Sequence, residues 1–185
     1  MEPTSSLRPL ALLAGPAVIA GLLLAVAAAA TARGPVEASP LATASTALVL
    51  VGLLATGALA VSLLGRGAGP VVALLGTVLV AGGEWASLFV LPGLSTAAPH
   101  LLESGSLPGV PIGFVASYAV FAVGWGITAV GLLRARAVPR WTAVLLLAGA
   151  VLSMVPTLEP ARLLVLSCAV SLTASRLRTR VAVPV

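Results

Sequence analysis

A single carboxylate, that of Glu84, lies inside an apolar stretch that runs from Pro70 to Leu91. A charged side chain is costly to place in the hydrocarbon of a membrane, so it needs a partner, a proton or a water-filled cavity. Two kinds of chemistry fit such a group. Either Glu84 binds a cation or a proton, as in a carrier, or it pairs with a cationic side chain and fixes how the helices pack.

Three further polar side chains lie at a similar depth when residues are counted along the apolar stretches, namely Tyr118, Ser153 and Arg162. Arg162 is long enough to reach a carboxylate one helical turn away. We therefore predict one polar cluster of Glu84, Tyr118, Ser153 and Arg162, and we favour its structural interpretation. Two alternatives stay open: Glu84 is protonated and idle, or Arg162 pairs with Glu159, three residues before it.

Residues for catalysis or metal binding are scarce. The chain has one histidine and one cysteine, and it contains no HExxH, GxSxG, P-loop or paired DxxxD motif. His100 and Glu103 are spaced i, i+3, but zinc takes roughly three or four protein ligands. Because Cys168 is the single cysteine, the sequence excludes an internal disulfide. A cysteine in an apolar helix is typical of a small buried hydrophobic residue. We predict no catalytic, cofactor-binding or metal-binding residues.

The composition indicates the class of protein that would hold the cluster. The 185 residues are 59% hydrophobic and 8% charged, with a mean hydropathy of +1.16, whereas soluble domains carry about 25% charged residues. We therefore predict an integral membrane protein. The arginines lie at helix ends rather than in one patch, so we expect the net charge of +5 to orient the chain in the membrane and not to bind nucleic acid.

Six apolar segments predict an all-α polytopic transmembrane helix bundle in one domain, residues 1–185. The predicted spans are 9–32, 41–64, 70–91, 112–133, 141–155 and 161–175. The last two are short, since about 15 residues cover about 23 Å of a hydrocarbon core about 30 Å thick. A re-entrant hairpin over 141–175 is therefore the alternative.

The first span carries two further signals. Pro16, which follows Gly15, should bend the helix. Ala30-Thr31-Ala32 has the form of a signal-peptidase site, but the apolar stretch before it is longer than that of a signal peptide. We therefore favour an uncleaved first helix.

The positions of the arginines predict the topology. With the N-terminus inside, only Arg33 and Arg162 fall outside, which fits the positive-inside rule. Both termini are then cytoplasmic, and the polar cluster lies in the outer half of the bundle. The long connection 92–111 is external, with a helical turn at 99–103. The eight arginines predicted inside are Arg8, Arg66, Arg134, Arg136, Arg140, Arg176, Arg178 and Arg180.

Small residues at intervals of seven predict that the third and fourth spans pack together, because small residues let helix backbones approach in lipid. The alternative is chance spacing in a chain with 19 glycines. Glu84 would face the bundle beside this contact. Of the tryptophans, Trp85 and Trp125 are expected in the core. The two rows are Gly69, Gly76 and Gly83 in the third span and Ser117, Gly124 and Gly131 in the fourth.

The stretch Arg134-Ala135-Arg136-Ala137-Val138-Pro139-Arg140-Trp141, with the apolar run Thr142 to Gly149, resembles a recurring segment of small multi-pass membrane proteins of actinobacteria and other high-GC bacteria. In these proteins a helix ends in arginine, a short turn with Pro-Arg-Trp follows, and the next helix begins. The resemblance implies a bacterial cytoplasmic (inner) membrane protein. It does not indicate any particular activity. Physically, proline starts the helix and Trp141 anchors it at the boundary.

Two functions follow as hypotheses. The first is a non-enzymatic accessory or interaction protein, whose partners are the lipid bilayer and either a second copy or another membrane protein. The second is a small transporter or proton-coupled carrier that uses Glu84. A carrier of this size would need to oligomerise to enclose a path. The two halves of the sequence show no repeat, which counts against the carrier.

Overall fold

The computed structural model of the protein describes residues 7–31, 39–102, 109–155 and 161–181. Helix accounts for 88% of these residues and none of them is in a strand, so the predicted all-α class is confirmed. Short 3-10 helices lie at Pro99–Leu102 and Ala161–Leu163. The α-helices are α1 (Arg8–Ala11), α2 (Ala14–Thr31), α3 (Pro40–Ser62), α4 (Ala68–Phe89), α5 (Leu91–Ala97), α6 (Gly109–Arg134), α7 (Arg140–Leu152) and α8 (Leu164–Val181).

Four helical segments are long and apolar enough to cross a membrane, and they match the first four predicted spans to within a few residues. The last two apolar helices, Arg140–Leu152 and Leu164–Leu177, are shorter. The 13 residues of α7 cover only about 20 Å at about 1.5 Å per residue. Six spans therefore stay a prediction. The four long segments are Arg8–Thr31, Pro40–Ser62, Ala68–Phe89 and Gly109–Arg134.

The long helices form a closed ring in which each packs against the next along the chain and α8 returns to α2. Facing positions show that neighbours run antiparallel. Gly21 of α2 faces Ser45 of α3, and Gly52 of α3 faces Val18 of α2. Gly149 of α7 likewise faces Leu166 of α8.

This antiparallel order collects most arginines at one end of the bundle, which we call the arginine end. Arg162 precedes α8 and lies at the opposite end. At the arginine end, Arg176 of α8 stands over the ring of Trp141 of α7, with 6.0 Å from the guanidinium carbon to the ring centroid. The described arginines at the arginine end are Arg8, Arg66, Arg134, Arg136, Arg140, Arg176, Arg178 and Arg180.

The predicted contact between the third and fourth spans is confirmed as the pairing of α4 with α6. A methyl group added at Gly76 would collide with the backbone of Phe121, and one added at Gly124 would collide with the backbone of Ala73. At Gly69 it would lie 2.8 Å from the amide nitrogen of Thr128. The backbones of the two helices therefore touch, which only glycine permits.

The prediction for the α6 side of this contact is wrong in one respect. Gly131 has nothing within 4 Å of where its Cβ would be, so it makes no close contact with α4. The residues of α6 that meet the glycines of α4 are Phe114, Phe121 and Thr128. These three residues of α6 are also spaced by seven, but they are not small. They fit because the glycines of α4 opposite them leave room for their backbone and side-chain atoms.

The bend expected near Pro16 is confirmed, and it separates α1 from α2 at Leu12 and Leu13. Pro16 has no N–H with which to bond the carbonyl of Leu12. The hydroxyl of Ser171 in α8 lies 3.1 Å from that carbonyl oxygen and accepts a hydrogen bond of 2.8 Å from the N–H of Gly15. A side chain of α8 thus satisfies the backbone groups that the bend exposes.

Two expectations at the opposite end from the arginines are corrected. The connection after the third span contains a further helix, α5, in which Pro92 occupies the first turn, where an N–H has no helical partner to lose. Trp85 is 52% exposed and packs on Phe89, with ring centroids 5.4 Å apart. It faces outward because the contact face of α4 is made of small residues. Glu103, the last residue of the predicted helical turn, lies outside the described residues.

Trp125 is buried as predicted, and its indole N–H donates to the hydroxyl oxygen of Thr77 over 3.2 Å. This bond crosses from α6 to α4 beside the glycine contact. It satisfies the polar tip of a ring that is otherwise in the apolar core.

We expect Gly76→Ala to lower thermal stability in detergent by about 1–3 kcal/mol, because the new methyl group must displace the backbone of α6. Thermal unfolding followed by circular dichroism measures this. Gly82→Ala is the matched control in the same helix, since nothing lies within 4 Å of its added methyl group. Equal stability of the two variants would contradict the close approach of α4 and α6.

We expect Ser171→Ala to lower the free energy of unfolding by about 1–3 kcal/mol, because it leaves the N–H of Gly15 and the carbonyl of Leu12 without the hydroxyl of Ser171 as their partner. Ser175→Ala is the control, since the hydroxyl of Ser175 bonds the carbonyl of Leu172 in its own helix at 2.8 Å. Hydrogen exchange at the amide of Gly15 should rise in the first variant alone. Unchanged exchange there would show that Ser171 does not hold the bend.

Candidate functional site

Arg162 is a buried cation, only 5% exposed. It lies in the 3-10 helix Ala161–Leu163, which leads into α8. Arginine is seldom fully buried unless its charge is compensated. The residues around Arg162 therefore form the candidate site at the end of the bundle opposite the arginine end.

Two aromatic rings of α6 receive the guanidinium group. Its carbon lies 3.7 Å from the ring centroid of Tyr118 and 5.1 Å from that of Phe114. The two rings are one helical turn apart, with centroids 5.3 Å from each other. A flat guanidinium group stacks well on such faces, and each contact is worth about 0.5–1 kcal/mol when exposed and about 2 kcal/mol when desolvated.

Ser153 completes the arrangement from α7. It is fully buried, and its hydroxyl donates to the carbonyl of Ala150 over 2.7 Å. Because that bond lies within α7, the hydroxyl oxygen keeps its acceptor capacity toward the cavity. The cavity itself has a volume of about 330 Å³ and is lined by Val110, Pro111, Phe114, Val115, Tyr118, Ser153, Met154 and Arg162.

The structure thus brings together three of the four predicted cluster residues, Tyr118, Ser153 and Arg162. Glu84 is half-buried in α4, next to Gly83, whose added methyl group would lie 3.6 Å from the ring of Phe114. Among the described residues, Glu84 is not part of the lining of the Arg162 cavity. The Glu84–Arg162 pair stays a prediction, and Glu159, the alternative partner, lies outside the described residues.

A second cavity, of about 210 Å³, lies on the α4 side of the same rings. Its lining includes Leu79 and Gly83 of α4, and it shares Phe114 and Tyr118 with the Arg162 cavity. The two rings therefore form the wall between the α4 side and the Arg162 side.

Sequence reasoning missed Phe114, whose ring centroid lies 5.1 Å from the guanidinium carbon of Arg162. The signal is present in the sequence, because Phe114 and Tyr118 are spaced i, i+4 and so share one face of a helix. A prediction based on polar partners of a charge does not include it. An arginine at the depth of two such rings indicates stacking.

This arrangement places the positive charge of Arg162 against an apolar cavity. The cavity is lined by residues of α6, of the end of α7 and of the 3-10 helix before α8. Within the described part of the chain, no group of three or more His, Cys, Asp or Glu side chains is placed to hold a metal ion. His100 is exposed in the 3-10 helix Pro99–Leu102, and Cys168 is half-buried in α8. Neither lines the Arg162 cavity.

No protein-family model, curated protein or solved structure matches the chain. The site is therefore interpreted from its own geometry.

We expect a double-mutant cycle between Tyr118→Leu and Arg162→Met to give a coupling energy of about 0.5–2 kcal/mol in thermal unfolding, because each change removes one side of the stacked pair. A cycle between Tyr118→Phe and Arg162→Met should be close to additive, since phenylalanine retains the ring face and so leaves the stacking in place. Tyr118→Leu with Arg176→Met, at the opposite end, is the control and should also be additive. Additivity in the first cycle would contradict the stacking.

Proposed function

We propose that the protein is a non-enzymatic, multi-pass protein of the bacterial cytoplasmic membrane that acts by contact with other membrane components, a second copy or another membrane protein. In this proposal the chain crosses the membrane six times, with both termini inside. The four membrane-length helices and the collection of arginines at one end support it. The polar cluster at the other end then has a structural role.

The packing of Arg162 is the observation that carries this proposal. A residue that binds a soluble substrate must be accessible to that substrate. The guanidinium group of Arg162 instead lies on two rings of α6 and is 5% exposed, while Ser153 bonds its own helix. The stacking joins α6 to the 3-10 helix at the start of α8, as expected of a group that fixes helix positions.

The buried hydroxyls along the ring of helices support the same proposal. Thr56, Thr77 and Thr128 each donate to the carbonyl four residues earlier in their own helix, over 2.6–2.9 Å. Each of these three hydroxyls directs its hydrogen to its own helix, so it does not donate that hydrogen to a solute. These three threonines favour a packed bundle over a path lined by hydrogen-bond donors.

A carrier that uses Glu84 is the second candidate, and one observation favours it. Glu84 is half-buried rather than fully buried, and its neighbour Gly83 lines the cavity of about 210 Å³. A carboxylate that is only partly buried can be reached by water and an ion. The aromatic wall of Phe114 and Tyr118 then stands between this space and Arg162.

Glu84→Gln separates the two candidates. We expect purified protein in liposomes to show no proton flux driven by a pH gradient, and we expect Glu84→Gln to lower thermal stability in detergent. If Glu84 pairs with Arg162, the variant that combines Glu84→Gln with Arg162→Leu should recover part of the loss, because it removes the charge left without its partner. Fluorescence of an enclosed pH dye measures the flux.

Flux that Glu84→Gln abolishes, with thermal stability unchanged, would replace the structural proposal by the carrier. Fully additive losses in the combined variant would exclude the Glu84–Arg162 pair, while leaving the stacking of Arg162 on α6 as the structural role of the site. Ser87→Ala, one turn further along α4, is the control for changes near Glu84, since its hydroxyl bonds the carbonyl of Gly83 at 3.1 Å.

A further inference from the structure

Two apolar spaces flank α6 at the arginine end. The first, which we call the turn cavity, has a volume of about 330 Å³ and lies between α6 and the turn that joins α3 to α4. The second, the α6–α7 groove, has a volume of about 530 Å³ and reaches Leu147 of α7. Both are lined by Ile127 and Gly131 of α6. The two spaces therefore adjoin along one ridge of α6.

The walls of these spaces are apolar and accessible from outside the bundle. Ile127 is 49% exposed and Val123 is 53% exposed. Nothing lies within 4 Å of a methyl group added at Gly131 or at Gly67. In a membrane, such recesses on the outer surface of a bundle are filled by acyl chains.

Each space carries one arginine. Arg66 lines the turn cavity and Arg134 lines the α6–α7 groove, and both side chains are exposed. A guanidinium group binds phosphate through parallel hydrogen bonds, which gives strength and orientation. Basic pockets between helices on the cytoplasmic side are the kind of site that holds anionic head groups.

We propose that an anionic phospholipid binds astride this ridge, with its phosphate between Arg66 and Arg134 and one acyl chain in each space. Two spaces separated by a ridge fit two chains, whereas a partner helix would need one continuous groove. A soluble anion would not use the apolar walls, and a neutral lipid would not use the arginines. Charge and shape together therefore select a diacyl lipid with an anionic head group.

Binding is tested on the full-length protein in detergent, titrated with phosphatidylglycerol or with phosphatidylcholine of the same acyl chains, and read by native mass spectrometry. We expect tighter binding of phosphatidylglycerol. Arg66→Gln and Arg134→Gln should each weaken it by about fivefold, since a basic residue near a lipid surface contributes about 1 kcal/mol. Arg140→Gln is the matched control at the same end, as Arg140 lines neither space, and it should leave affinity unchanged.

Gly131→Leu tests the apolar part of the site. The leucine side chain would occupy the space along the ridge, and no protein atom lies within 4 Å of its Cβ. We therefore expect it to weaken the binding of both lipids and to leave thermal stability without lipid unchanged. Gly82→Leu in α4, which also has open space around it, is the control and should bind as the wild type does. Glycerol phosphate at millimolar concentration should not compete.

Three results would overturn the proposal. They are equal affinity for the two lipids, an effect of Arg140→Gln as large as that of Arg66→Gln, and binding unaffected by Gly131→Leu. Competition by glycerol phosphate would identify a phosphate site without a lipid requirement and would equally contradict it. If an arginine variant proves unstable, Gly131→Leu and the comparison of the two lipids still decide the outcome.

Discussion

Contact between the backbones of α4 and α6 is the constraint on which the rest of the bundle depends. Gly76 admits the backbone of Phe121, and Gly124 admits that of Ala73. Because these contacts fix α6 in both rotation and height, every other residue of that helix has its direction set. Tyr118 is thereby placed under Arg162 at one end, and Gly131 is placed on the outer ridge at the other. Both sites described above are consequences of one helix contact.

Polar groups in this apolar chain are satisfied by two different means. Where the backbone is irregular, a hydroxyl from another helix supplies the missing bonds, as Ser171 does at the bend between α1 and α2. Where a charge is buried, two aromatic rings of another helix lie against it, as at Arg162. Each of these side chains belongs to the α8 segment of the chain and contacts a helix far from it in sequence. The chain from Arg162 to Ser171 therefore contacts α6 at one end of the bundle and the bend between α1 and α2 at the other.

Much of the fold could be predicted from the sequence, because span length and apolar composition depend on local residues alone. The pairing of α4 with α6 was also predictable, since a row of glycines at intervals of seven marks one helix face. The partner face was not, because a glycine row does not say which bulky residues will fill it. For the same reason, Gly131 was assigned to a contact although it makes no close contact with α4. The site was predicted in part: hydroxyls at one depth suggested Tyr118 and Ser153, but the aromatic role of Phe114 is not visible to an argument about polar atoms.

The bond between Ser171 and the bend near Pro16 has a consequence for how the chain is assembled. A membrane protein is made from its N-terminus onward, and early segments begin to fold before later ones exist. The N–H of Gly15 and the carbonyl of Leu12 have their partner more than 150 residues later in the chain. Until α8 is synthesised and docks, Ser171 cannot supply these two bonds. The bend between α1 and α2 therefore reaches its final arrangement only after α8 has packed against it.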